Sequence, residues 1–257
     1  MERRTKQWTL KEEDRFGAHG MVQVYKVDPQ TVVKLVEPPR LTEAETLRFV
    51  RANTSLPVPE VYDAYIDDEL ERGVIVMQYI DADALQDIWE NMDVAEQDAI
   101  IAQLRGYMDE LRAIRGAFVG PIDRSACEDP LFTVELGSFG PYADEEAFHG
   151  GIVRAIEMVE EGPWARQVAG FVSALPKHDI VLTHADLTPR NILVREGKVV
   201  GIIDWEMAGY FPAYWEYVKA LAYPEWESTW YSEAAVDRVL RPFPLEMAVM
   251  MHVHNLV

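Results

Sequence analysis

The amino-acid sequence predicts an α+β fold with two lobes: a small antiparallel β-sheet lobe that carries one helix, and a larger, mainly helical lobe. Before residue 80, apolar and β-branched residues form short runs that are typical of strands. After residue 80, apolar residues recur at helical spacing, and one late β segment at residues 180–204 interrupts that pattern. We therefore expect residues 1–80 to form the small lobe, ending in a hinge, and residues 81–257 to form the large lobe.

The small lobe begins with two β-branched runs, at residues 21–27 and 31–36, which are joined by Asp-Pro-Gln and predict a hairpin. A helix is expected at residues 43–52, where apolar residues recur at a three-residue spacing. Residues 73–80 form another apolar run, which predicts a further strand leading into the hinge. These elements together predict a small, mainly antiparallel sheet with one helix.

The large lobe is expected to contain amphipathic helices at residues 93–115, 145–161 and 164–175, because apolar residues recur there at helical spacing. The late β segment contains two apolar runs separated by Arg-Glu-Gly-Lys, which is a hairpin signal. The Trp- and Tyr-rich segment that follows is expected to be helical. No internal repeat interrupts this organisation.

The charge and the cysteine count exclude several classes of function. The 257 residues include 44 acidic and 24 basic side chains, giving a formal net charge of −20, which would repel nucleic acid phosphates. No stretch approaches the roughly 20 apolar residues of a membrane span, and the charged amino-terminal segment lacks the apolar centre of a secretion signal. A single cysteine fits a reducing compartment. We expect a cytoplasmic protein with no nucleic acid or membrane partner.

The loop "HADLTPRN", residues 184–191, is the most informative segment of the chain. Asp186 and Asn191 lie five residues apart in this loop, and Asp204 follows the next apolar run. Because a hairpin returns the end of its second strand to the start of its first, these three side chains can converge. Two carboxylates and an amide oxygen suit Mg²⁺, which prefers one or two protein carboxylates together with substrate phosphates.

Phosphoryl transfer explains this choice of residues. One acid accepts or orients the hydroxyl proton, while an Asn and a second Asp hold metal ions on the nucleotide phosphates. We expect Asp186 to be the base, Asn191 and Asp204 to be metal ligands, and His184 to brace the loop by hydrogen bonding to the backbone. The alternative is a solvated turn whose polar side chains only cap strand ends, since Asp and Asn are common in turns.

Lys34 in "TVVKLV" is a charged residue among apolar and β-branched neighbours on a predicted strand. In kinases a strand lysine reaches the nucleotide phosphates and is held by a helix glutamate. Glu43, on the predicted helix, is the first candidate for that partner and Glu45 is the second. The alternatives are an outward-facing lysine that protects an edge strand and a solvated glutamate at the start of a helix.

Several segments together resemble the aminoglycoside phosphotransferase and choline kinase-like family, relatives of protein kinases that phosphorylate small molecules. The matching segments, in order, are "VVKL", "EAETLRFV", "TSLPVPEVY", "VIVMQYI", "THADLTPRNILV" and "VVGIIDWEMAGYFP". The middle segments "FVGPIDRSACEDP" and "FGPYADEEAF" look nearer to fungal-type members. The resemblance implies a protein kinase-like fold and transfer of a phosphoryl group from ATP, or another nucleoside triphosphate, with Mg²⁺ to a hydroxyl group of a small molecule.

The resemblance adds further nucleotide contacts. It implies that backbone groups of Gln78, Tyr79 and Ile80 meet the adenine, with Met77 behind it. A phosphate-covering loop would be "FGAHGMVQVY", and its only glycines are Gly17 and Gly20.

This sparse glycine loop leaves open a catalytically weak or inactive kinase-like module that binds a nucleotide or a small ligand. Relatives usually continue beyond "MHVHNLV", so the carboxyl end is expected to be truncated.

The acceptor is expected to be a small molecule, because no Asp-Phe-Gly or Ala-Pro-Glu follows the loop and the segment after Asp204 is too short for a peptide platform. Aromatic and acidic residues are frequent there. They are Trp205, Glu206, Tyr210, Tyr214, Trp215, Glu216, Tyr217, Tyr223, Glu225, Trp226, Glu227 and Trp230. Such residues can bind an ammonium group, which predicts a cationic acceptor such as an amino alcohol or an aminoglycoside. The alternative is that these aromatic residues form helix core.

Overall fold

The computed structural model describes residues 3–4, 8–19, 22–36, 40–127, 129–133, 139–222 and 226–257. The strands are β1 (Arg3–Arg4), β2 (Arg15–His19), β3 (Val22–Asp28), β4 (Thr31–Val36), β5 (Val61–Asp67), β6 (Arg72–Gln78), β7 (Asp83–Ala84), β8 (Ile180–Thr183), β9 (Ile192–Arg195), β10 (Lys198–Ile202) and β11 (Gly209–Pro212). The α-helices are α1 (Thr42–Asn53), α2 (Leu85–Ile88), α3 (Val94–Ala113), α4 (Pro130–Thr133), α5 (Glu145–Val159), α6 (Pro163–Ser173), α7 (Trp215–Ala220), α8 (Thr229–Ser232), α9 (Ala235–Val239) and α10 (Pro244–His254). The predicted α+β fold, with a small sheet lobe and a larger helical lobe, is confirmed.

Six strands form the sheet of the small lobe, in the order β1-β5-β6-β4-β3-β2. Neighbouring strands are antiparallel except β1 and β5, which run parallel. The predicted hairpin is the β3–β4 pair, and Lys34 lies between Val24 of β3 and Ile75 of β6. Gly17 lies in β2, opposite Val24. Gly20 lies outside the described residues.

Helix α1 packs against this sheet through one apolar face. Ala44, Leu47 and Val50 recur every three residues and therefore lie on one side of the helix, where each is at most 1% exposed. These side chains belong to a core that continues into the large lobe. The other face of the sheet buries a separate apolar cluster that includes Val33 and Tyr65. The sheet is therefore covered on both faces, and its strand β4 is central rather than an edge.

The segment after α1 ties this helix to the large lobe. Ser55 donates hydrogen bonds from its backbone nitrogen and its Oγ to the carboxylate of Glu110 in α3, at 2.8 and 2.6 Å. The backbone nitrogen of Ile202, at the end of β10, donates to the carbonyl of Pro57 at 2.8 Å. These contacts connect α1 to the strand that leads to Asp204.

The long helix of the large lobe begins at a complete capping box. The Asp93 side chain accepts from the Glu96 backbone nitrogen, and the Glu96 side chain accepts from the Asp93 backbone nitrogen, which satisfies two free amides at the helix start. Ile101, Leu104 and Met108 of α3 are buried on the face towards the core. Within the described part of the chain, no helix is long and apolar enough to cross a membrane.

The late β segment differs from the single hairpin that the sequence predicts. Strands β9 and β10 do form that hairpin, and Glu196 and Gly197 turn it with φ values of 51° and 70°. Strand β8 instead pairs with β11 in a separate two-stranded sheet. Strand β11 has the sequence Gly-Tyr-Phe-Pro, and its glycine and proline are typical of loops, so the sequence did not predict it. The short strand β7 extends the hairpin by pairing with β9.

Strand β11 passes so close to a neighbouring loop that Gly209 has no room for a side chain. A Cβ atom at this position would lie 2.5 Å from the carbonyl oxygen of Gly120 and 3.0 Å from the Cα atom of Pro121. We expect Gly209→Ala to lower the free energy of unfolding by about 1–3 kcal/mol, because the backbone must move. Urea unfolding measures this change.

Gly106 provides the matched control for this prediction. It lies on the exposed side of α3, and no described atom lies within 4 Å of the place that a Cβ atom would occupy there. Gly106→Ala should raise the free energy of unfolding by about 0.5–1 kcal/mol, because alanine restricts the unfolded chain and favours the helix. Equal effects of the two substitutions would contradict the close approach at Gly209.

Candidate active site

The ammonium group of Lys34 lies among three carboxylates at the junction of the two lobes. Lys34 Nζ lies 2.7 Å from Glu43 Oε2, 2.7 Å from Asp204 Oδ1 and 3.5 Å from Glu206 Oε2. The carboxylates lie within 4.8 Å of one another, so the ammonium supplies the positive charge that their repulsion requires. Of the two glutamates considered from the sequence, the structure places Glu43 beside Lys34. Glu45 is exposed and forms an ion pair within α1.

Burial and charge act in opposite directions on these groups. Burial alone would lower the pKa of Lys34, but the carboxylates of Glu43 and Asp204 reverse this effect and raise the pKa well above its usual value. Burial would raise the pKa of Asp204, but the Lys34 ammonium holds that pKa below its usual value. For Glu43, burial is the stronger influence and raises the pKa. Lys34 and Asp204 are therefore both charged at neutral pH.

The catalytic-loop candidates are connected by short hydrogen bonds. Asn191 Nδ2 donates to Asp186 Oδ2 at 2.7 Å and to the Asp186 carbonyl at 2.9 Å. His184 Nδ1 accepts from the Asp186 backbone nitrogen at 3.1 Å, and its Nε2 lies 3.0 Å from the Ile203 carbonyl. The proton of a neutral His184 is therefore on Nε2, which donates to the residue before Asp204. His184 therefore bonds to backbone groups of the loop and of the end of the hairpin.

Glu216 binds backbone nitrogens of the same loop, a contact that the sequence did not predict. Its carboxylate, from α7, accepts from the backbone nitrogen of His184 at 2.7 Å and from that of Ala185 at 3.0 Å. Glu216 is fully buried, and Ala185 has a φ of 66°, a backbone conformation that side chains other than glycine rarely adopt. The sequence contains no local signal for this contact, because about thirty residues separate its partners.

A cavity of about 510 Å³ lies between the lobes and contains Lys34, Glu43, Asn191 and Asp204. Its apolar walls come from both lobes. They include Val24, Val32, Met77, Leu193 and Ile203. An apolar slot with charged groups at one end suits a planar base joined to a charged phosphate chain.

The linker after β6 lines the same cavity through Gln78, Tyr79 and Ile80. Two of its backbone amides are already used within the protein. The Gln78 nitrogen donates to the Glu60 carbonyl at 2.9 Å, and the Tyr79 nitrogen donates to the Gln30 carbonyl at 2.7 Å. Among the described residues, none accepts from the Ile80 nitrogen. Ile80 is therefore the linker residue whose amide is free to meet a ligand.

Asn191 and Asp204 each have an oxygen atom that accepts no hydrogen bond from the residues that the structure describes. No group in the described ranges donates to Asn191 Oδ1, because the amide is oriented by the two bonds from Nδ2 to Asp186. Asp204 uses Oδ1 for Lys34, and its Oδ2 accepts no hydrogen bond from a described residue. Both side chains line the cavity between the lobes. Carboxylate and amide oxygens are ligands that Mg²⁺ accepts, so the donor set fits this ion.

A second cavity, of about 300 Å³, contains Asp186 in its lining. Asp186, Arg190 and Lys219 are the charged residues among its described lining, and Trp89 and Tyr231 supply aromatic surface. Arg190 Nη2 lies 2.9 Å from Asp186 Oδ2 and 3.1 Å from Oδ1. Asp186 therefore lies at the boundary of this cavity, where a bound molecule could meet its carboxylate.

The aromatic residues that suggested a cation site lie mainly in the core. Trp205, Tyr214, Trp215 and Trp230 are each at most 1% exposed, so they contribute apolar packing rather than a binding surface. Trp226 is 66% exposed. Tyr223 and Glu225 lie outside the described residues. The interpretation of these aromatics as core, which the sequence left open, is the correct one for the buried set.

A strand lysine paired with a helix glutamate, beside a loop that carries Asp and Asn at a cleft between two lobes, is the arrangement typical of kinase-like phosphotransferases. The chain belongs to the phosphotransferase enzyme family, whose sequence profile matches residues 17–245. No curated protein matches the chain.

Several solved structures that resemble this chain are aminoglycoside phosphotransferases. A thermostable mutant of APH(4)-Ia in its apo form has a TM-score of 0.65 and 18% identity, and the match covers 94% of this chain and 84% of that one. The streptomycin–ATP complex of APH(2″)-IIa has a TM-score of 0.58 and 15% identity, covering 94% and 90%. ADP-bound APH(2″)-Ib has a TM-score of 0.57 and 17% identity, also covering 94% and 90%. At these identities the similarity establishes the protein kinase-like fold.

The buried Glu216 carboxylate predicts a specific loss of stability. Glu216→Gln replaces one of two accepting oxygens by an amide that can only donate, so one backbone N–H group of the loop loses its partner. We expect the free energy of unfolding to fall by about 1–3 kcal/mol. Urea unfolding tests this against Glu227→Gln, a change at an exposed position that should have no measurable effect. A wild-type midpoint for Glu216→Gln would show that the carboxylate does not hold the loop.

Proposed function

We propose that the protein transfers a phosphoryl group from ATP, or another nucleoside triphosphate, to a hydroxyl group of a small molecule. In this proposal residues 1–80 form the nucleotide-binding lobe and residues 81–257 form the catalytic lobe. The observation that carries the proposal is the position of Lys34 Nζ, 2.7 Å from both Glu43 and Asp204. This contact joins the two lobes at the cleft where the phosphate chain would lie. The family match supports a phosphotransferase, and the cleft supports the nucleotide.

The nucleotide would enter the cavity between the lobes. The free Ile80 amide is the linker donor that supports adenine binding, with Gln78 and Tyr79 beside it and Met77 in the wall behind. Lys34 would bind the phosphates, and Glu43 would keep its ammonium in place. Among solved structures of this fold, one aminoglycoside phosphotransferase is a complex with ADP and hygromycin B, and another with AMP-PNP and hygromycin B.

Asn191 and Asp204 would hold Mg²⁺ through their unused oxygens. When bound, the ion would neutralise the charge that develops on the transferred phosphoryl group. Gly17 lies on β2, the strand that leads into the predicted phosphate-covering loop. In this proposal Gly17 and Gly20 would contact the nucleotide phosphates.

Asp186 would act on the acceptor hydroxyl. Its carboxylate is held by Asn191, while His184 and Glu216 fix the backbone around it. Asp186 would accept the hydroxyl proton as the acceptor oxygen bonds to the γ-phosphorus, and the bond from that phosphorus to the bridging oxygen would break to release ADP. The loop therefore positions the base before the acceptor arrives, which reduces the reorganisation needed during transfer.

The acceptor expected from the sequence is a cationic amino alcohol or aminoglycoside. The names of the structural neighbours support this class, because their complexes contain hygromycin B, streptomycin and gentamicin. The net charge of −20 would also attract cations. The buried aromatics do not add to this support. A cytoplasmic location likewise stays a proposal from the sequence.

The alternative is a weak or inactive kinase-like module that only binds a nucleotide. The arrangement of Lys34, Asp186, Asn191 and Asp204 argues against it, because a module without turnover has no need for an oriented carboxylate beyond the phosphate site. Turnover with MgATP decides between the two, since both interpretations predict nucleotide binding.

Substitution of the two aspartates tests the proposed roles separately. Asp186→Ala should reduce kcat by about 10²–10⁴-fold with nucleotide affinity nearly unchanged, because the base is lost while Asn191 keeps its bond to the backbone carbonyl of residue 186. Asp204→Ala should instead weaken binding of the magnesium nucleotide. Phosphate transfer to a compound panel and calorimetry with MgATP measure these effects. Asp109→Ala, on the exposed face of α3, is the control. Wild-type turnover by Asp186→Ala in every assay would show that Asp186 is not the base.

A further inference from the structure

The side chains that line the cavity beside Asp186 differ in charge from the rest of this acidic protein. The chain carries 44 acidic and 24 basic side chains. In the described lining of this cavity, however, Asp186 is the sole carboxylate, and Arg190 and Lys219 carry positive charge. A cavity that binds a polycation is expected to gather carboxylates, because each one removes some of the repulsion between bound ammonium groups. The charge of this lining therefore points towards a different acceptor.

Lys219 is already neutralised by a partner behind the cavity wall. Its Nζ lies 2.9 Å from Asp129 Oδ2, and both side chains are at most 6% exposed. The other oxygen of Asp129 accepts from the Leu131 backbone nitrogen at 3.0 Å, which fixes the carboxylate in place. A buried and fixed pair of this kind has little charge to offer a ligand. Arg190 is also paired, with Asp186, but only through Nη2, so the donors available to a bound molecule are mainly those of Arg190.

Arg190 has hydrogen-bond donors to spare. Of its guanidinium nitrogens, only Nη2 bonds to Asp186, at 2.9 and 3.1 Å. A guanidinium carries five N–H groups, and in the described chain no residue accepts from Nη1 or Nε. The Arg190 side chain is 58% exposed and lines the cavity, so a bound molecule can reach it. One edge of the guanidinium thus orients the base while another edge is free.

We infer that the acceptor carries an anionic group, a carboxylate or a phosphate, and that Arg190 binds this group while the acceptor hydroxyl meets Asp186. The inference rests on the proposed phosphotransfer, and at the same site it replaces the cationic acceptor that the sequence and the neighbours' ligands suggest. A planar guanidinium matches carboxylate and phosphate oxygens in pairs, which is why arginine recognises both. Because Arg190 contacts Asp186 directly, an anion on its free edge would lie within a few bonds of the reacting hydroxyl. Short hydroxy acids and phosphorylated alcohols have this geometry.

Matched pairs of acceptors test the inference. Glycerate and glycerol, serine and serinol, and glycerol phosphate and glycerol differ only in the anionic group, and each is offered with MgATP. The anionic member should be phosphorylated with a kcat/KM about 10- to 100-fold higher, the range expected for hydrogen bonds to a charged group. Preference for the neutral members, or turnover of ethanolamine and hygromycin B alone, would overturn the inference. Either result would leave the proposed phosphotransfer intact, provided that turnover still requires Asp186.

Variants of Arg190 identify the residue responsible. In Arg190→Gln the preference for the anionic member of each pair should disappear, and Arg190→Lys should restore part of it. The ratio within a pair is the readout, because any disturbance of Asp186 affects both members equally. The KM for ATP should not change. A raised KM for ATP with the acceptor preference intact would mean that Arg190 binds the nucleotide phosphates, which overturns the inference.

A binding measurement tests the inference without depending on turnover. If none of the compounds is phosphorylated, calorimetry with glycerate and glycerol phosphate on the nucleotide-bound protein decides the matter. At least one of the two should bind the wild type about tenfold more tightly than Arg190→Gln, as for a lost charged hydrogen bond. Equal or undetectable binding of both overturns the inference. Loss of turnover together with loss of MgATP binding is instead a failure of the proposed function.

Discussion

The ammonium group of Lys34, buried among Glu43, Asp204 and Glu206, is the interaction on which the rest of the site depends. A buried ion pair is a poor source of stability, because removing its charges from water offsets most of their attraction. Apolar packing could fill this position at no loss of stability. The cluster is therefore better explained by what it does, which is to hold one positive charge at the cleft between the lobes. The apolar contacts of α1 with the sheet supply the stability that the cluster does not.

This arrangement requires that α1 be held in place from outside the small lobe. The bonds from Ser55 to Glu110 and from Ile202 to Pro57 connect the segment after α1 to the long helix α3 and to the β9–β10 hairpin. Glu43 therefore reaches Lys34 in a position that the large lobe determines. Since Ile202 lies two residues before Asp204, the same strand fixes both the helix glutamate and the metal-ligand candidate. The charged cluster around Lys34 therefore contains side chains from both lobes.

Local patterns in the sequence predicted the parts of the molecule that depend on neighbouring residues. The hairpin β3–β4, the helix α1 and the loop at residues 184–191 all have signals within a few residues, and Lys34 stands out because its neighbours are apolar. Contacts between distant segments had no such signal. The sequence of β11 is typical of a loop, and this segment is a strand because it pairs with β8. Nothing in the sequence distinguishes Glu216 from the other acidic residues, whereas in the structure it accepts from two loop amides. The sequence showed where polar residues lie along the chain. It did not show which of them bond to buried backbone amides or line a cavity.

Backbone strain at two points of the site shows how the loop and the hairpin depend on these distant contacts. Ala185 and Asp204 both have a φ of 66°, and neither is a glycine. Each such conformation costs roughly 1–3 kcal/mol and persists only where the surroundings enforce it. The backbone nitrogen of Ala185 donates to the Glu216 carboxylate, and the carboxylate of Asp204 binds the Lys34 ammonium, so a contact with a distant segment holds each of the two residues. Ala185 precedes the proposed base and Asp204 is the metal-ligand candidate, so the charged contacts of the site act on the backbone as well as on any ligand.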